Sequence, residues 1–236
     1  MGNPRSLDMM KLLIELKANV NAEDEYGEGA LIFAARGNCL EALSYLIEAK
    51  ANVNGGRRTT ALMEAARENN EGCVKALIEA KAKIDSKSHD AETTALVSAA
   101  SSIFDCVRSI SLLVEDGKAP VDGKDGMGRT ALMRAAGSGH LGTLRYLVRA
   151  KADVNLKDSS GRTALMEAAA QHNLAIIACL IEEGEADMNI QNEIKESALI
   201  LAARTSWEGD GCSEAIRYLV QEAGADLDLL DEEKKI

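Results

Sequence analysis

Apolar and polar residues follow each other along the chain in a pattern that repeats about every 33 residues. The motif Ala-Leu-x-x-Ala-Ala marks each unit, and the steps between successive copies are 31, 34, 36, 33 and 34 residues. The leading alanines are Ala30, Ala61, Ala95, Ala131, Ala164 and Ala198. A period of this length is typical of stacked-repeat proteins, in which each repeat contacts mainly its neighbours.

A second apolar segment follows each Ala-Ala pair after a short polar stretch. In the fourth unit its apolar residues stand at 141, 144, 147 and 148, which places one apolar stripe along a helix. The sequence Ala-(Asn/Asp)-Val-Asn, or a variant of it, and a turn rich in Asp, Gly and Ser come next. A threonine such as Thr163 then precedes the next Ala-Leu and is predicted to cap the helix. Each unit is therefore predicted to contain a turn, a short helix, a second turn and a longer helix.

The chain resembles the ankyrin repeat family, whose signature is Thr-Pro-Leu-His-x-Ala with a period of 33 residues. The resemblance is best in the fourth unit, from Gly128-Arg129-Thr130-Ala131-Leu132-Met133 to Ala152-Asp153-Val154-Asn155, and it covers roughly residues 6–230. It implies an all-α ankyrin-type helical repeat solenoid with six helix-turn-helix units, an N-terminal half unit and projecting turn fingers.

The chain departs from the family signature at two positions of the motif and at the end of the second helix. Ala replaces the family proline, and Met, Ile or Val replaces the histidine, so Met63, Met133 and Met166 are predicted to fill gaps between repeats. Lysine stands where the family usually has glycine after the second helix. Because lysine rarely has a positive φ, either these helices end differently or some backbone strain is tolerated.

We predict one continuous ankyrin repeat domain. Its predicted bounds are 1–28 for the N-terminal half repeat and turn, then 29–59, 60–93, 94–129, 130–162 and 163–196 for repeats 1 to 5, and 197–236 for repeat 6 with the C-terminal tail. The first helix of the first unit is missing, which indicates either a half-repeat cap or a segment of a longer protein.

The composition limits the partners and the compartment. The formal net charge is −11, which disfavours nonspecific binding to nucleic acid or to anionic membranes. The five cysteines include no Cys-x-x-Cys pair, so we interpret them as free packing thiols in a reducing compartment. No apolar run reaches the ~20 residues of a transmembrane helix. We expect a monomer located in the cytoplasm, with the nucleus left open.

No arrangement of residues predicts catalysis, a cofactor or a metal site. Residues 126–131 fit the dinucleotide fingerprint Gly-x-Gly-x-x-Ala, but a turn rather than a strand precedes them. We therefore expect that the chain is not an enzyme. The start of the chain matches the N-myristoylation pattern at Gly2, which we interpret as coincidence because no polybasic patch supports a single acyl chain. A membrane contact at Gly2 is the alternative.

The resemblance implies that turn tips and first helices line a groove that binds another protein. The candidate residues there are Lys124, Met127, Arg129, Arg134, Lys157, Arg162, Phe33 and Trp207. The five basic residues form a predicted stripe that suits an acidic segment of the partner. The predicted function is therefore a non-catalytic scaffold or adaptor for a partner protein. The alternative is a regulatory or targeting segment of a larger enzyme such as a kinase.

Overall fold

The structure is a computed structural model that describes residues 4–204, 210–222 and 224–225 of the chain. The chain folds as two compact units, Met1–Gly126 and Met127–Ile236. In the described residues every regular element is a helix, and extended pairing is limited to one antiparallel bridge between Glu23 and Gly29. The predicted all-α class is confirmed.

The first unit contains one single helix followed by three pairs of a short and a longer helix. Their bounds are Pro4–Glu15 (α1), Ala30–Arg36 (α2), Leu40–Glu48 (α3), Ala61–Arg67 (α4), Glu71–Glu79 (α5), Ala95–Ala100 (α6) and Val107–Glu115 (α7). The short helices α2, α4 and α6 pack side by side, and each longer helix packs on the short helix of its own pair.

The second unit repeats this arrangement with three further helix pairs. Their bounds are Ala131–Ser138 (α8), Leu141–Arg149 (α9), Ala164–Ala170 (α10), Leu174–Ala178 (α11), Ala198–Arg204 (α12) and Asp210–Arg217 (α13). The first helices α8, α10 and α12 again pack side by side.

Threonine hydroxyl groups begin most of the short helices, as predicted. The side chain of Thr60 accepts a hydrogen bond from the backbone N–H of Met63 at 3.3 Å, and Thr163 accepts one from Met166 at the same distance. Thr94 and Thr130 cap α6 and α8 in the same way. These hydroxyls satisfy backbone donors that would otherwise lack an intrahelical partner at the start of each helix.

The Ala-Ala pairs lie at the centre of the stack. Both alanines are fully enclosed in α4, α8 and α10. Because a methyl group is the whole side chain, neighbouring first helices approach closely through these positions. The second helices contribute leucines that are equally buried, among them Leu43, Leu77, Leu144 and Leu147. Met63, Met133 and Met166 are buried as well, as expected of packing residues.

The lysines that follow the second helices adopt a left-handed backbone. Lys50 has a φ of 67° and Lys151 a φ of 66°. The N–H of Lys50 donates to the carbonyl of Ile47, and the N–H of Ala51 donates to that of Leu46. This pair of bonds is the Schellman end of a helix. A non-glycine residue pays about 1–2 kcal/mol for this conformation, so the structure tolerates the strain that the sequence left open.

Asparagine side chains link successive repeats beyond the second helices. The Oδ1 of Asn21 accepts a hydrogen bond from the backbone N–H of Asn52, one repeat further on, at 2.6 Å. Asn54 accepts from the N–H of Lys83, and Asn155 accepts from that of Asp187. At these three junctions the final asparagine of the Ala-x-Val-Asn sequence or its variant bonds one repeat to the following one.

An extra residue in the fifth repeat is absorbed at the end of its second helix. After α9 the N–H of Ala152 donates to the carbonyl of Leu147, five residues back, whereas the equivalent bond from Ala186 reaches six residues back to Leu180. The additional residue lies in a π-helical turn, Cys179–Glu183, that continues α11. Such single-turn insertions lengthen a helix locally without breaking the surrounding packing.

Replacing Leu144 or Leu147 with alanine tests this packing. Each side chain is fully buried, so each substitution should lower the free energy of unfolding by about 2–5 kcal/mol through lost apolar contacts and a residual cavity. Urea denaturation followed by circular dichroism measures the change. Leu16→Ala is the matched control because Leu16 is 72% exposed. Similar midpoints for all three variants would show that the buried face has been assigned wrongly.

Candidate functional site

A turn finger precedes the first helix of each pair. We number the fingers in chain order and define them as residues 21–29, 54–60, 85–94, 122–130, 155–163 and 189–197. In finger 5 the Oδ1 of Asp158 accepts hydrogen bonds from the N–H groups of Ser160 at 2.8 Å and Arg162 at 2.9 Å. Asp24 in finger 1 and Asn192 in finger 6 make the same two bonds. A side-chain oxygen thus holds each of these fingers in a fixed turn, and in fingers 5 and 6 the residue that supplies it is buried.

The fingers of the second unit are bonded directly to each other. The N–H of Ser159 donates to the carbonyl of Met127 at 3.0 Å, and the N–H of Glu193 donates to that of Ser160 at 3.1 Å. The close approach requires glycine at Gly161, which has a φ of 78° and where a Cβ atom would lie 2.8 Å from the nitrogen of Glu193. The tips in this unit therefore form a row of bonded turns.

Large apolar side chains are exposed to solvent at the tips of several fingers. Met127 is 55% exposed, and Ile194, at the equivalent position of finger 6, is 65% exposed. Tyr26 of finger 1 occupies the same position in the first unit and is half exposed. Met127 was predicted as a contact residue, whereas Tyr26 and Ile194 were not. Aligning the fingers on their capping Asp or Asn would have found both.

The predicted basic residues of the second unit are partly matched by carboxylates. The Nε of Arg129 lies 3.3 Å from Oδ2 of Asp158, and the Nε of Arg162 lies 3.2 Å from Oε1 of Glu167. Both arginines are only about a quarter exposed. Lys157 is exposed and its Nζ donates to the carbonyl of Gln191 at 2.9 Å. Their positive charge is therefore less available to a partner than the sequence suggests.

The other predicted contact residues are distributed along the chain. Arg134 is half-buried on α8 in the second unit, whereas Lys124 and Phe33 are exposed in the first unit. Trp207 and Gly2 lie outside the described residues. The second unit therefore contains Met127 and four of the five predicted basic residues, and the composition of the interface stays a prediction.

A network of charges surrounds Phe33 on the first helices of the first unit. The Arg36 guanidinium lies 5.5 Å from the centre of the Phe33 ring and bonds to the carboxylates of Glu28 and Glu64 at 2.7 and 2.8 Å. Glu64 is buried and also pairs with Arg67. Burial by itself favours the neutral carboxyl, but the bond from Arg36 and the charge of Arg67 outweigh it and lower the pKa of Glu64.

The thiols that the structure describes show no sign of activation. Cys73, Cys106 and Cys179 are buried and Cys39 is half-buried, and none of the four is in a disulfide. Burial, with a smaller contribution from Cys39, raises the pKa of the Cys73 thiol to about 11. A thiol of this kind stays protonated and is a poor nucleophile. The described residues also contain no cluster of side chains that could hold a metal ion.

No helix in the described part of the chain has the length and apolar character needed to cross a membrane.

Comparison with known proteins identifies the family. The family model for ankyrin repeats matches three times, over residues 2–88, 62–158 and 150–231, so the chain belongs to the ankyrin repeat family. No curated protein sequence matches the chain.

Two solved ankyrin repeat domains illustrate the structural similarity. The domain of human ASB11 is 25% identical, with 89% of this chain and 93% of that chain covered and a TM-score of 0.78. The domain of Bcl-3, described as a unique member of the IkappaB protein family, is 22% identical, with 91% and 92% covered and a TM-score of 0.71. The latter similarity shows the fold alone.

Substitutions at Asp158 test how the fingers are held. Asp158→Ala removes the acceptor of two backbone N–H groups and the partner of Arg129, and should lower the free energy of unfolding by about 1–3 kcal/mol. Asp158→Asn should cost less, because Asn192 makes the same backbone bonds with an amide oxygen. Urea denaturation measures both. An equal loss in the two variants would mean that charge, and not the turn bonds, holds the finger.

The pH dependence of stability tests the role of Glu64. Because folding lowers its pKa from the ordinary 4.5, its ion pairs stabilise the fold fully above that pH and lose their effect as the pH falls through the folded-state value. Glu64→Gln should therefore lower the free energy of unfolding by about 1–3 kcal/mol at neutral pH. The difference from the wild type should narrow in acid.

Urea denaturation at neutral pH and at about pH 3.5 measures this effect of Glu64. Glu71→Gln is the control, because Glu71 and its partner Arg108 are both exposed and the pair should contribute less than about 1 kcal/mol. A Glu64→Gln difference that does not change with pH would contradict the assignment.

Proposed function

We propose that the chain is a non-catalytic scaffold that binds a partner protein through a groove lined by its turn tips and first helices. The observation that carries the proposal is the exposure of Met127 and Ile194 on fingers 4 and 6, which are both bonded to finger 5. Large apolar side chains on a pre-ordered backbone bind with little loss of conformational entropy, which is the property of binding hot spots. Ankyrin repeat domains are in general protein-binding modules without catalytic activity, and the family assignment supports this class.

The proposed contact set keeps the basic residues in a secondary role. Lys157 is exposed, whereas Arg129 and Arg162 are held by carboxylates. Together with Arg134 and Lys124 they suit an acidic segment of the partner. Charges of this kind act mainly on the rate of encounter and are screened by salt. The apolar tips, and not the arginines, are therefore proposed to supply most of the affinity. We also propose that the protein is a monomer located in the cytoplasm.

The test compares apolar tip variants with a matched control. The partner is first identified by affinity capture and mass spectrometry, then purified and titrated against each variant. Met127→Ala and Ile194→Ala should each weaken binding by about tenfold, because truncating a hot spot costs more than 1 kcal/mol. Ile103→Ala should bind like the wild type, since Ile103 is 88% exposed but lies on the loop between α6 and α7.

Stopped-flow association at two salt concentrations completes the test, since the association rate should fall as salt rises. Equal affinities for the tip variants and the Ile103 control would contradict the proposed surface. Failure to recover any stable protein complex would contradict the scaffold function itself.

A further inference from the structure

A cleft of about 160 Å³ lies at the base of fingers 1 and 2 in the first unit. Its apolar lining comes from Val20, Leu31, Ile32 and Ala51, and Glu23 stands among the polar lining residues. Glu23 is exposed, and no described basic side chain pairs with it. The cleft therefore combines an apolar wall with an acidic residue in its lining.

The cleft lies where the chain departs from the regular finger length. Finger 2 has seven residues, from Asn54 to Thr60, whereas finger 5 has nine, from Asn155 to Thr163. Gly55 and Gly56 form part of its wall. Gly56 has a φ of 109°, and a Cβ atom there would lie 2.1 Å from the carbonyl oxygen of Thr59 and 2.7 Å from Cδ1 of Ile32. At Gly55 and Gly56 the wall of the cleft is therefore formed by backbone without side chains.

Another pair of fingers shows what occupies the corresponding place. Lys157 is the second residue after Asn155 in finger 5, and its Nζ donates at 2.9 Å to the carbonyl of Gln191 in finger 6. Glu23 is the second residue after Asn21, so it stands at the position of Lys157 with the opposite charge. Where finger 5 supplies its own lysine to bridge to the next finger, finger 1 supplies a carboxylate beside an open cleft.

Fingers 1 and 2 carry other charged side chains besides Glu23. On finger 1, Asp24 caps the turn and Glu28 is bonded to Arg36, which leaves Glu23 and Glu25 without an ion pair among the described residues. On finger 2, Arg58 pairs with Asp90 and lies 5.8 Å from the Tyr26 ring. The stem of Arg57 lies across Gly27 near the outer end of finger 1.

We propose that this cleft receives a lysine side chain of a partner protein. The methylene stem packs on the apolar wall, and the ammonium group reaches the carboxylate of Glu23. A lysine satisfies both parts of the site, since it buries an apolar stem while its charged end stays at the surface. The inference rests on the proposed function only in assigning the lysine to a partner protein. The cleft itself would bind any accessible lysine side chain.

The test uses a small probe and needs no identified partner. N-acetyl-lysine methylamide is titrated into the ¹⁵N-labelled full chain, and the backbone amides of Gly29, Gly55 and Gly56 are followed by NMR. N-acetyl-norleucine methylamide is the matched probe with the same stem and no charge. The lysine probe should bind about threefold more tightly at low salt, the size expected of an exposed ion pair, and this preference should disappear at about 1 M NaCl.

Two substitutions at Glu23 and one control make the result specific. Glu23→Gln should remove the preference for lysine over norleucine, whereas Glu25→Gln on the same finger should leave it unchanged. Glu23→Lys places in finger 1 the residue type that bridges fingers 5 and 6, and should abolish the binding of both probes. Thermal melting followed by circular dichroism checks that each variant is folded.

Three outcomes overturn the inference: no shift at the cleft glycines, equal binding of the two probes to the wild type, or an unchanged preference in Glu23→Gln. Each of them leaves the scaffold proposal intact, because that proposal depends on the tip residues Met127 and Ile194. Conversely, loss of the scaffold proposal does not alter a measured preference for the lysine probe.

Discussion

Contact between alanines of neighbouring first helices is the interaction on which the rest of each unit depends. The paired alanines of α4, α8 and α10 are fully buried, and a methyl side chain lets neighbouring backbones approach closely. This close approach sets the distance between one repeat and the next. Neighbouring fingers are separated by the same distance, which is short enough for the N–H of Ser159 to bond to the carbonyl of Met127 directly. A larger residue in the alanine layer would force the helices apart and strain these bonds.

The same constraint explains why so much of the fold could be predicted from the sequence. The Ala-Leu-x-x-Ala-Ala motif reports helix packing, and the preceding threonine reports the helix start, because both act within a few residues of the chain. For the lysines with positive φ, the sequence predicted only a conflict between their place at the helix end and the rarity of positive φ in lysine. Their conformation follows from the Schellman bonds at the helix end, which outweigh the intrinsic preference of a residue such as Lys151.

The candidate site was less predictable because its charges pair between repeats. Arg129 and Asp158 are 29 residues apart, and their contact depends on how two fingers stack. Local sequence shows two charged turns and gives no sign that one neutralises the other. The exposed residues Tyr26 and Ile194 were missed for a related reason, since their significance lies in the position they share with Met127. Comparison between repeats carries this information, and the composition of a single turn does not.

Departures from the regular period have opposite consequences at the two ends of a repeat. At the end of a second helix, an extra residue is taken up by a π turn such as Cys179–Glu183, and the following Ala186 still bonds back to Leu180. A helix end can absorb the change because its hydrogen bonds shift to the next carbonyl along the chain. A finger cannot absorb a change in length in this way, because the helices fix the positions of the neighbouring fingers. Two residues missing from finger 2 therefore leave a space between fingers 1 and 2. That space is the cleft, a feature that the shortened finger creates.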